Sequence, residues 1–312
     1  MNKKRLIKIN QYTKNQEGIV TNKIIQIIKK FIKEYDIKYS SIDYIGISGQ
    51  TVFHDPKNKK TIQLGSCKKI QKKIKLKIVG NFRENDIKNG GQGAPIAAFY
   101  HNYILKNFLP SAIILNLGGI ANISIIYREK LIAFDVGTAN VLIDDLMYHF
   151  YKKNYDKDGK IAFRGKKNQQ IIDKYKNDSF FKLQYPKSLD REYFKKYLSL
   201  LKKIKVEDAI CTASMMTVEG ILLGIKILNK NFKSLILTGG GRNNLFIVKN
   251  LKKIFKLKRK KIILVDELNF NGDFLEAQAF AYLTVRCVRK LPLSLPTTTG
   301  VKKPISGGLI YQ

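Results

Sequence analysis

Hydrophobic residues recur at three- and four-residue intervals between Ile24 and Ile32. Ile24, Ile25, Ile27, Ile28, Phe31 and Ile32 are separated by lysines and Gln26, and this spacing predicts an amphipathic helix over 21–35. A different pattern follows. Tyr44-Ile45-Gly46-Ile47 is a short apolar run that enters a Ser48-Gly49-Gln50-Thr51 turn, and Thr61-Ile62-Gln63-Leu64 and Lys77-Ile78-Val79 read as further short strands. Gly90-Gly91-Gln92-Gly93-Ala94-Pro95 is a glycine-dense loop ahead of an apolar helix from Ile96 to Phe108, and Pro110 closes this section.

Beyond it, Ala112 to Leu117 is a continuous apolar run broken only by Asn116, and it enters the Gly118-Gly119 turn. Ile123 to Tyr127 returns as the second arm of a hairpin, and Leu131-Ile132-Ala133-Phe134 adds a third strand. Residues 151–205, rich in Lys and Tyr and interrupted by Gly159, Gly165 and Pro186, read as an insertion of helices and loops. A helix over 206–229 leads to the strand Ser234-Leu235-Ile236-Leu237 and the Gly239-Gly240-Gly241 turn. The strand Lys261 to Val265 then precedes a helix from Gly272 to Arg289. Strand–helix alternation with glycine turns at strand ends predicts an α/β fold whose ligands sit at the ends of the strands.

Composition narrows the class. At 312 residues the chain is long enough for two domains, and a 44% hydrophobic share excludes a disordered chain. No apolar run in the sequence approaches a membrane span, and no apolar stretch follows the basic residues Met1 to Gln16 as in a secretory signal. The three cysteines, Cys67, Cys211 and Cys287, are too dispersed for a disulfide scaffold or a zinc cluster, which fits a reducing cytoplasm. The net charge of +34 invites a nucleic-acid reading, but only nine of the 58 basic residues are Arg, the type suited to bidentate phosphate contacts. The lysines are dispersed among Ile and Asn, so the charge reads as solvated faces; dedicated nucleic-acid recognition is not expected.

Several positions could carry chemistry. Glycines at 118–119 and 239–241 would let backbone N–H groups approach phosphate oxygens, or serve only as tight turns. Asp135, directly after an apolar strand, is expected at the strand's end facing a cleft, as a general base, a metal ligand, or the N-cap of a helix over Asn140–Tyr148. Arg83 and Asp86 could clamp a polar ligand or pair with each other. Glu276, in a small-residue run, points either outward or into a cleft. His54 and His101 are isolated and read as structural or substrate contacts before metal ligands.

Read together, the segments carry an ordered set of motifs. They begin with Gly49-Gln50-Thr51 with His54 and Pro56, Thr61-x-Gln63-x-Gly65, and Phe82-Arg83-x-x-Asp86 leading to Gly90–Pro95. Asn116-Leu117-Gly118-Gly119-Ile120-Ala121-Asn122-Ile123 and Phe134-Asp135-x-Gly137-x-x-Asn140-x-Leu142-x-Asp144 come next. Tyr155-Asp156-Lys157-Asp158-Gly159, Pro186-Lys187-Ser188 with Arg191-Glu192, and Gly239-Gly240-Gly241-x-Asn243 follow. Gly272-Asp273-x-x-Glu276-Ala277-x-Ala279-Phe280-Ala281, Leu291-Pro292 and Thr299-Gly300 complete the set. In this order, over nearly the whole chain, they resemble the anhydro-N-acetylmuramic acid kinases of the actin/hexokinase-like superfamily.

The resemblance implies a two-lobed, ribonuclease H-like α/β fold with an interlobe cleft. Domain I would comprise 1–110 and 272–312, and domain II 111–271, with the insertion at 151–205. It implies a cytoplasmic enzyme that opens a 1,6-anhydro sugar and phosphorylates O6 with ATP and magnesium, in cell-wall recycling, with the magnesium ligands unassigned. By family analogy Asp135 is the base. Glu276, Gln50, Thr51, Arg83, Gln92 and Asn140 fall on the sugar side, and Gly118, Gly119, Asn122, Gly239, Gly240, Gly241 and Asn243 on the nucleotide side. An amino sugar and ATP are the expected partners, with no membrane, and a homodimer is left open. The family's Gly-Thr-Ser-x-Asp-Gly phosphate loop has no counterpart in the string, so the first lobe is expected to be truncated. The alternative reading is a non-catalytic remnant that binds sugar or a partner.

Overall fold

A computed structural model describes residues 3–107 and 111–312, with side chains described over 15–106 and from 111 onward. Phe108 and Pro110, the expected end of the fourth helix and of the first section, lie outside the described residues. The chain divides into two compact units, Met1–Ala97 with Ala277–Gln312, and Ala98–Glu276.

In the first unit the predicted amphipathic helix extends well upstream, as α1 (Lys3–Glu34). It is followed by β1 (Ile45–Gly46), β2 (Gln50–Asp55), β3 (Lys60–Leu64), α2 (Cys67–Ile74), β4 (Ile78–Gly80) and α3 (Glu84–Lys88). Ile24, Ile25 and Ile28 of α1 pack on a core of Ile47, Cys67, Ile70, Ile74 and Ile78, while Lys23, Gln26, Lys29 and Lys30 are exposed; Ile27 and Phe31, expected on the apolar face, are exposed as well. Ser66 starts α2 by accepting the Lys69 N–H, a standard N-cap. Gln50 and Thr51 do not form the expected turn. They open β2, an antiparallel partner of β3, with a bulge between Thr51 and Phe53.

The second unit is built on one sheet. It opens with α4 (Ala98–Asn107), then β5 (Ala112–Leu117), β6 (Ile120–Tyr127), β7 (Lys130–Thr138), α5 (Val141–Tyr151), α6 (Gln169–Lys176), α7 (Leu198–Leu201), α8 (Val206–Leu228), β8 (Ser234–Thr238), α9 (Leu245–Leu257) and β9 (Lys261–Leu264). The strand order is β7-β6-β5-β8-β9, with β6 antiparallel to both neighbours and β5, β8 and β9 parallel. This is the ribonuclease H-like arrangement. One face, carrying Ile113, Leu115, Leu117, Ile123, Ile125, Phe134, Leu235 and Leu237, joins a core with Leu142 and Leu146 of α5, Ala213 and Met216 of α8, and Ile247 and Leu251 of α9. The other face meets α4, where His101 Nδ1 lies 2.8 Å from Ser124 Oγ.

Helix α8 is long and apolar enough to cross a membrane by length and composition, which corrects the expectation that no apolar run approaches a span. Here it is a core helix, buried from Ala209 to Val218. After the second unit the chain continues into α10 (Leu275–Val288), and β10 (Leu309–Tyr311) pairs antiparallel with β4 of the first unit.

Candidate active site

Residues directly opposite each other in a ladder present their side chains on the same face. Thr238 of β8 pairs with Asn116 of β5, Asn116 with Asn122 of β6, and Asn122 with Asp135 of β7. Four adjacent strands thus place one continuous polar row, Thr238–Asn116–Asn122–Asp135, on the face opposite the main core. Thr238 Oγ1 lies 3.4 Å from Asn116 Oδ1. The row lies near the carboxyl ends of the parallel strands, the usual ligand position in an α/β sheet.

Asp135 is not at a strand's end. The strand β7 runs on to Thr138, and Asp135 is only 4% exposed. A bulge intervenes: Asn122 pairs with Asp135 and Ala121 with Gly137, so Val136 has no ladder partner. Such a bulge bends the strand and re-aims neighbouring side chains. Nor does Asp135 cap the next helix. Asn140 occupies that position without a side-chain cap, and its Nδ2 donates to Leu117 O at 3.1 Å and Gly118 O at 2.8 Å. The amide of Asn140 therefore braces the hairpin turn.

The insertion supplies the clamp on Asp135. Its backbone N–H donates to Lys187 O at 3.0 Å, and its Oδ2 accepts the Leu189 N–H at 2.7 Å, a charge-assisted bond for an ionised carboxylate. Behind this segment lies an aromatic cluster of Tyr175, Phe180, Phe181, Tyr193, Phe194 and Tyr197. Tyr175 reaches back to the sheet, where its hydroxyl accepts the Thr138 N–H at 3.2 Å. A side chain at Gly137 would collide with that hydroxyl, which explains the glycine two positions after Asp135.

The two glycine turns adjoin each other. Gly239 has φ +75°, and a Cβ there would meet Asn116 Oδ1 at 2.5 Å; one at Gly241 would meet Leu117 Cβ at 2.7 Å. Both are glycine because the turn closes against the end of β5. Gly119 and Gly240 are different. Neither has a positive φ, both are exposed, and no protein atom would lie within 4 Å of an added Cβ. Tight packing accounts for two glycines of the triplet and leaves bare backbone at Gly119 and Gly240. Arg242, buried beneath the turn, fixes it by donating to Gly239 O, to both oxygens of Asp266 and to Asp273 Oδ1. These carboxylates raise the Arg242 pKa further, and Arg242 in turn lowers that of Asp266. Asn243 beside it is exposed.

In the first unit, the Gly90–Pro95 loop is held on several sides. Asp86, 1% exposed, accepts the Gly93 N–H and the Thr299 hydroxyl, while Gln92 N–H donates to Thr299 O at 2.6 Å. Arg83 Nη1 donates to Gly93 O at 3.2 Å. Arg83 and Asp86 therefore both brace the loop. His54 is buried against it, with Nδ1 3.4 Å from Thr61 Oγ1 and a ring bond to the Gln92 main chain. Burial, aided by the Arg83 charge, lowers the His54 pKa to about 4, so the ring is neutral at pH 7. Arg83, Gln92 and Thr51 remain half-buried, and Gln50 is exposed. Glu276, in the first turn of α10, is exposed as well.

The family model for anhydro-N-acetylmuramic acid kinase matches residues 5–312. The chain belongs to this family, a family of carbohydrate kinases. The anhydro-N-acetylmuramic acid kinase of Zymomonas mobilis is 36% identical over 95% of this chain and 80% of its own length. That of Pelagibacter ubique is 34% identical over 97% and 82%. Among solved structures, the ADPNP-bound activator of 2-hydroxyisocaproyl-CoA dehydratase from Clostridium difficile aligns over 76% of this chain and 90% of its own, at 14% identity and a TM-score of 0.40.

In this member of the anhydro-N-acetylmuramic acid kinase family, Asp135, Asn122, Gly118, Gly119, Asn140 and Gly239–Gly241 come together at one end of the second unit's sheet. Sequence reasoning missed Asn116, Thr238, Lys187, Leu189 and Arg242 as parts of the site. Asn116 and Thr238 left one local trace, a polar residue near the end of an apolar strand; their alignment with Asp135 depends on non-local register. The strap at Lys187–Leu189 left only the string Pro186-Lys187-Ser188; its bonds to Asp135, more than fifty residues away, were not legible.

Proposed function

We propose that this chain is an ATP-dependent kinase that hydrolytically opens 1,6-anhydro-N-acetylmuramic acid and phosphorylates the released O6, yielding N-acetylmuramic acid 6-phosphate for peptidoglycan recycling. Family membership supports the substrate. The observation that carries the mechanism is the buried carboxylate of Asp135, aligned with three polar side chains and clamped through its backbone and one oxygen.

In this reading a water attacks C1 of the sugar while Asp135 accepts its proton. The C1–O6 bond breaks with its electron pair passing to O6. That oxygen bonds the γ-phosphorus of ATP as the bond to the β–γ bridging oxygen breaks, and ADP leaves. The clamp from Leu189 and Lys187 fixes the carboxylate, since a base must be oriented within hydrogen-bond reach of the proton it takes. Asn122 and Asn116 supply amides in the same row. Gly119 and Gly240 fit ATP, because their uncovered backbone admits phosphate oxygens where any side chain would intrude. Gly118, Gly239, Gly241 and Asn243 shape that surface. Gln50, Thr51, Arg83, Gln92 and Glu276 are assigned to sugar recognition, with the Arg83 guanidinium suited to a carboxylate.

A magnesium ion bound with ATP would take most of its ligands from phosphate oxygens and water, with one or two side-chain oxygens. Among the described residues no three His, Cys, Asp or Glu side chains cluster to hold a metal, and no step is assigned to one here.

The test is Asp135→Asn, which keeps an acceptor for Leu189 N–H and removes the base. Sugar 6-phosphate formation, followed by mass spectrometry, should fall by about 10²- to 10⁴-fold. Undiminished product overturns the mechanism. A wild-type chain that binds the anhydro sugar saturably but never phosphorylates it supports the remnant reading instead.

A further inference from the structure

The main chain around Gln92 is gripped at three consecutive N–H groups. Gly91 donates to Asp86 O at 2.9 Å, Gln92 to Thr299 O at 2.6 Å, and Gly93 to Asp86 Oδ1. The Thr299 hydroxyl donates to the other carboxylate oxygen, Asp86 Oδ2. Asp86 is 1% exposed and Thr299 is fully buried. A carboxylate withdrawn from water this far is costly unless its oxygens are matched, and a main-chain carbonyl could satisfy an N–H at less cost. A carboxylate placed here therefore serves the geometry of the loop. The glycine at 91 fits it, since a side chain there would collide with the Asp86 carboxylate.

We propose that Thr299 is a positioning residue for Gln92: its carbonyl fixes the Gln92 main chain, and its hydroxyl aims the Asp86 carboxylate that holds Gly93. This rests on the assignment of Gln92 to sugar recognition.

Thr299 is itself firmly placed. In the turn that carries it, Leu295 O accepts the N–H groups of Thr298, Thr299 and Gly300, and Leu295 N–H donates to Thr298 Oγ1 at 3.0 Å. The flanking chain is tied down by the pairing of Ser294 with Ile305, and by Asn85 Nδ2 donating to Ser306 O at 2.6 Å. The grip falls on the main chain. Gly91 and Gly93 are buried, whereas Gln92 between them is half-buried and keeps solvent access. Its carboxamide both donates and accepts, as sugar hydroxyls and an acetamido group require.

The experiment uses the full chain and reads sugar affinity by calorimetry without ATP, then KM and kcat with it. Thr299→Val keeps the volume and the carbonyl but removes the hydroxyl from Asp86 Oδ2. T299V should weaken binding of the anhydro sugar about tenfold and leave KM for ATP unchanged. Thr299→Ser, which restores the hydroxyl, should bind near wild type. Folded T299V that binds sugar like wild type overturns the proposal. An equal rise in both KM values, or T299S as weak as T299V, overturns it as well. Gln92→Ala separates the proposal from the assignment beneath it. Q92A should weaken sugar binding, and adding T299V to it should cause little further loss, because Thr299 acts through Gln92. Additive losses overturn the proposal and leave the assignment standing; normal sugar binding by Q92A removes both. If T299V does not fold, hydrogen exchange on the wild type decides. The Gln92 and Gly93 amides should be protected in the sugar-free chain, and exchange at the unprotected rate overturns the proposal.

Discussion

Gly240 and Gly241 are neighbours of identical composition with opposite reasons for being glycine. A methyl group at Gly241 would press on Leu117 Cβ at 2.7 Å, whereas one at Gly240 would meet nothing. Gly241→Ala should therefore destabilise the fold by about 1–3 kcal/mol, the usual cost of overpacking, read as a lower midpoint in urea. Gly240→Ala should leave that midpoint within about 0.5 kcal/mol and raise KM for ATP, read in initial-rate kinetics. Equal stability losses in both variants would remove the reason for assigning Gly240 to a ligand. The sequence showed three glycines after an apolar strand and suggested a phosphate turn. It could not divide them, because the division depends on Leu117 and Asn116, more than a hundred residues away. Asp135 was similarly half legible: its chemistry was visible, but its clamp and its place within the strand were not.

Helix α5 shows how an element can oppose one of its own residues. The positive end of a helix dipole favours carboxylates in the first turn, and Asp144 occupies such a position. Even so, burial, with the like charge of Asp145 adding to it and Arg191 opposing, raises the Asp144 pKa to about 7. An acid whose pKa is higher folded than unfolded binds more protons in the native state between those two values. Stability from Asp144 is therefore greatest below about pH 4 and is lost as pH rises to about 7. Asp144→Asn should match wild type near pH 4 and become more stable by on the order of 1–2 kcal/mol at pH 7.5, allowing for solvent screening of a half-buried group. Denaturation midpoints at several pH values measure this, and a difference independent of pH contradicts it. At this scale the long periodic elements were legible: α8, α10, β5 and β8 lie close to where the hydrophobic pattern puts them. Short or mixed ones were not. The strand β2 carries Gln50, Thr51, His54 and Asp55, and β10 spans only Leu309–Tyr311; each is a strand because a partner, β3 or β4, pairs with it.

For the chain as a whole, charge is the dominant long-range feature. A net charge of +34 means that even if every carboxylate were paired the excess cations would have no acidic partner, and most of the described ion pairs are half-exposed or exposed and contribute little individually. Two of the nine arginines are committed to internal contacts: Arg242 is buried under a glycine turn and Arg83 braces a loop. The lysines remain as mutually repelling, hydrated charges that destabilise the compact state. Salt should relieve this. Between about 0.01 M and 0.15 M the screening length falls from about 30 Å to about 8 Å, so repulsion across the surface is largely removed. The calorimetric Tm should therefore rise by several degrees between those ionic strengths, and weak binding to duplex DNA at low salt should vanish over the same range. A Tm that is flat or falls with salt would mean that the positive charges are locally compensated, and DNA binding that persists at 0.15 M would restore the nucleic-acid reading that the lysine-dominated composition argued against.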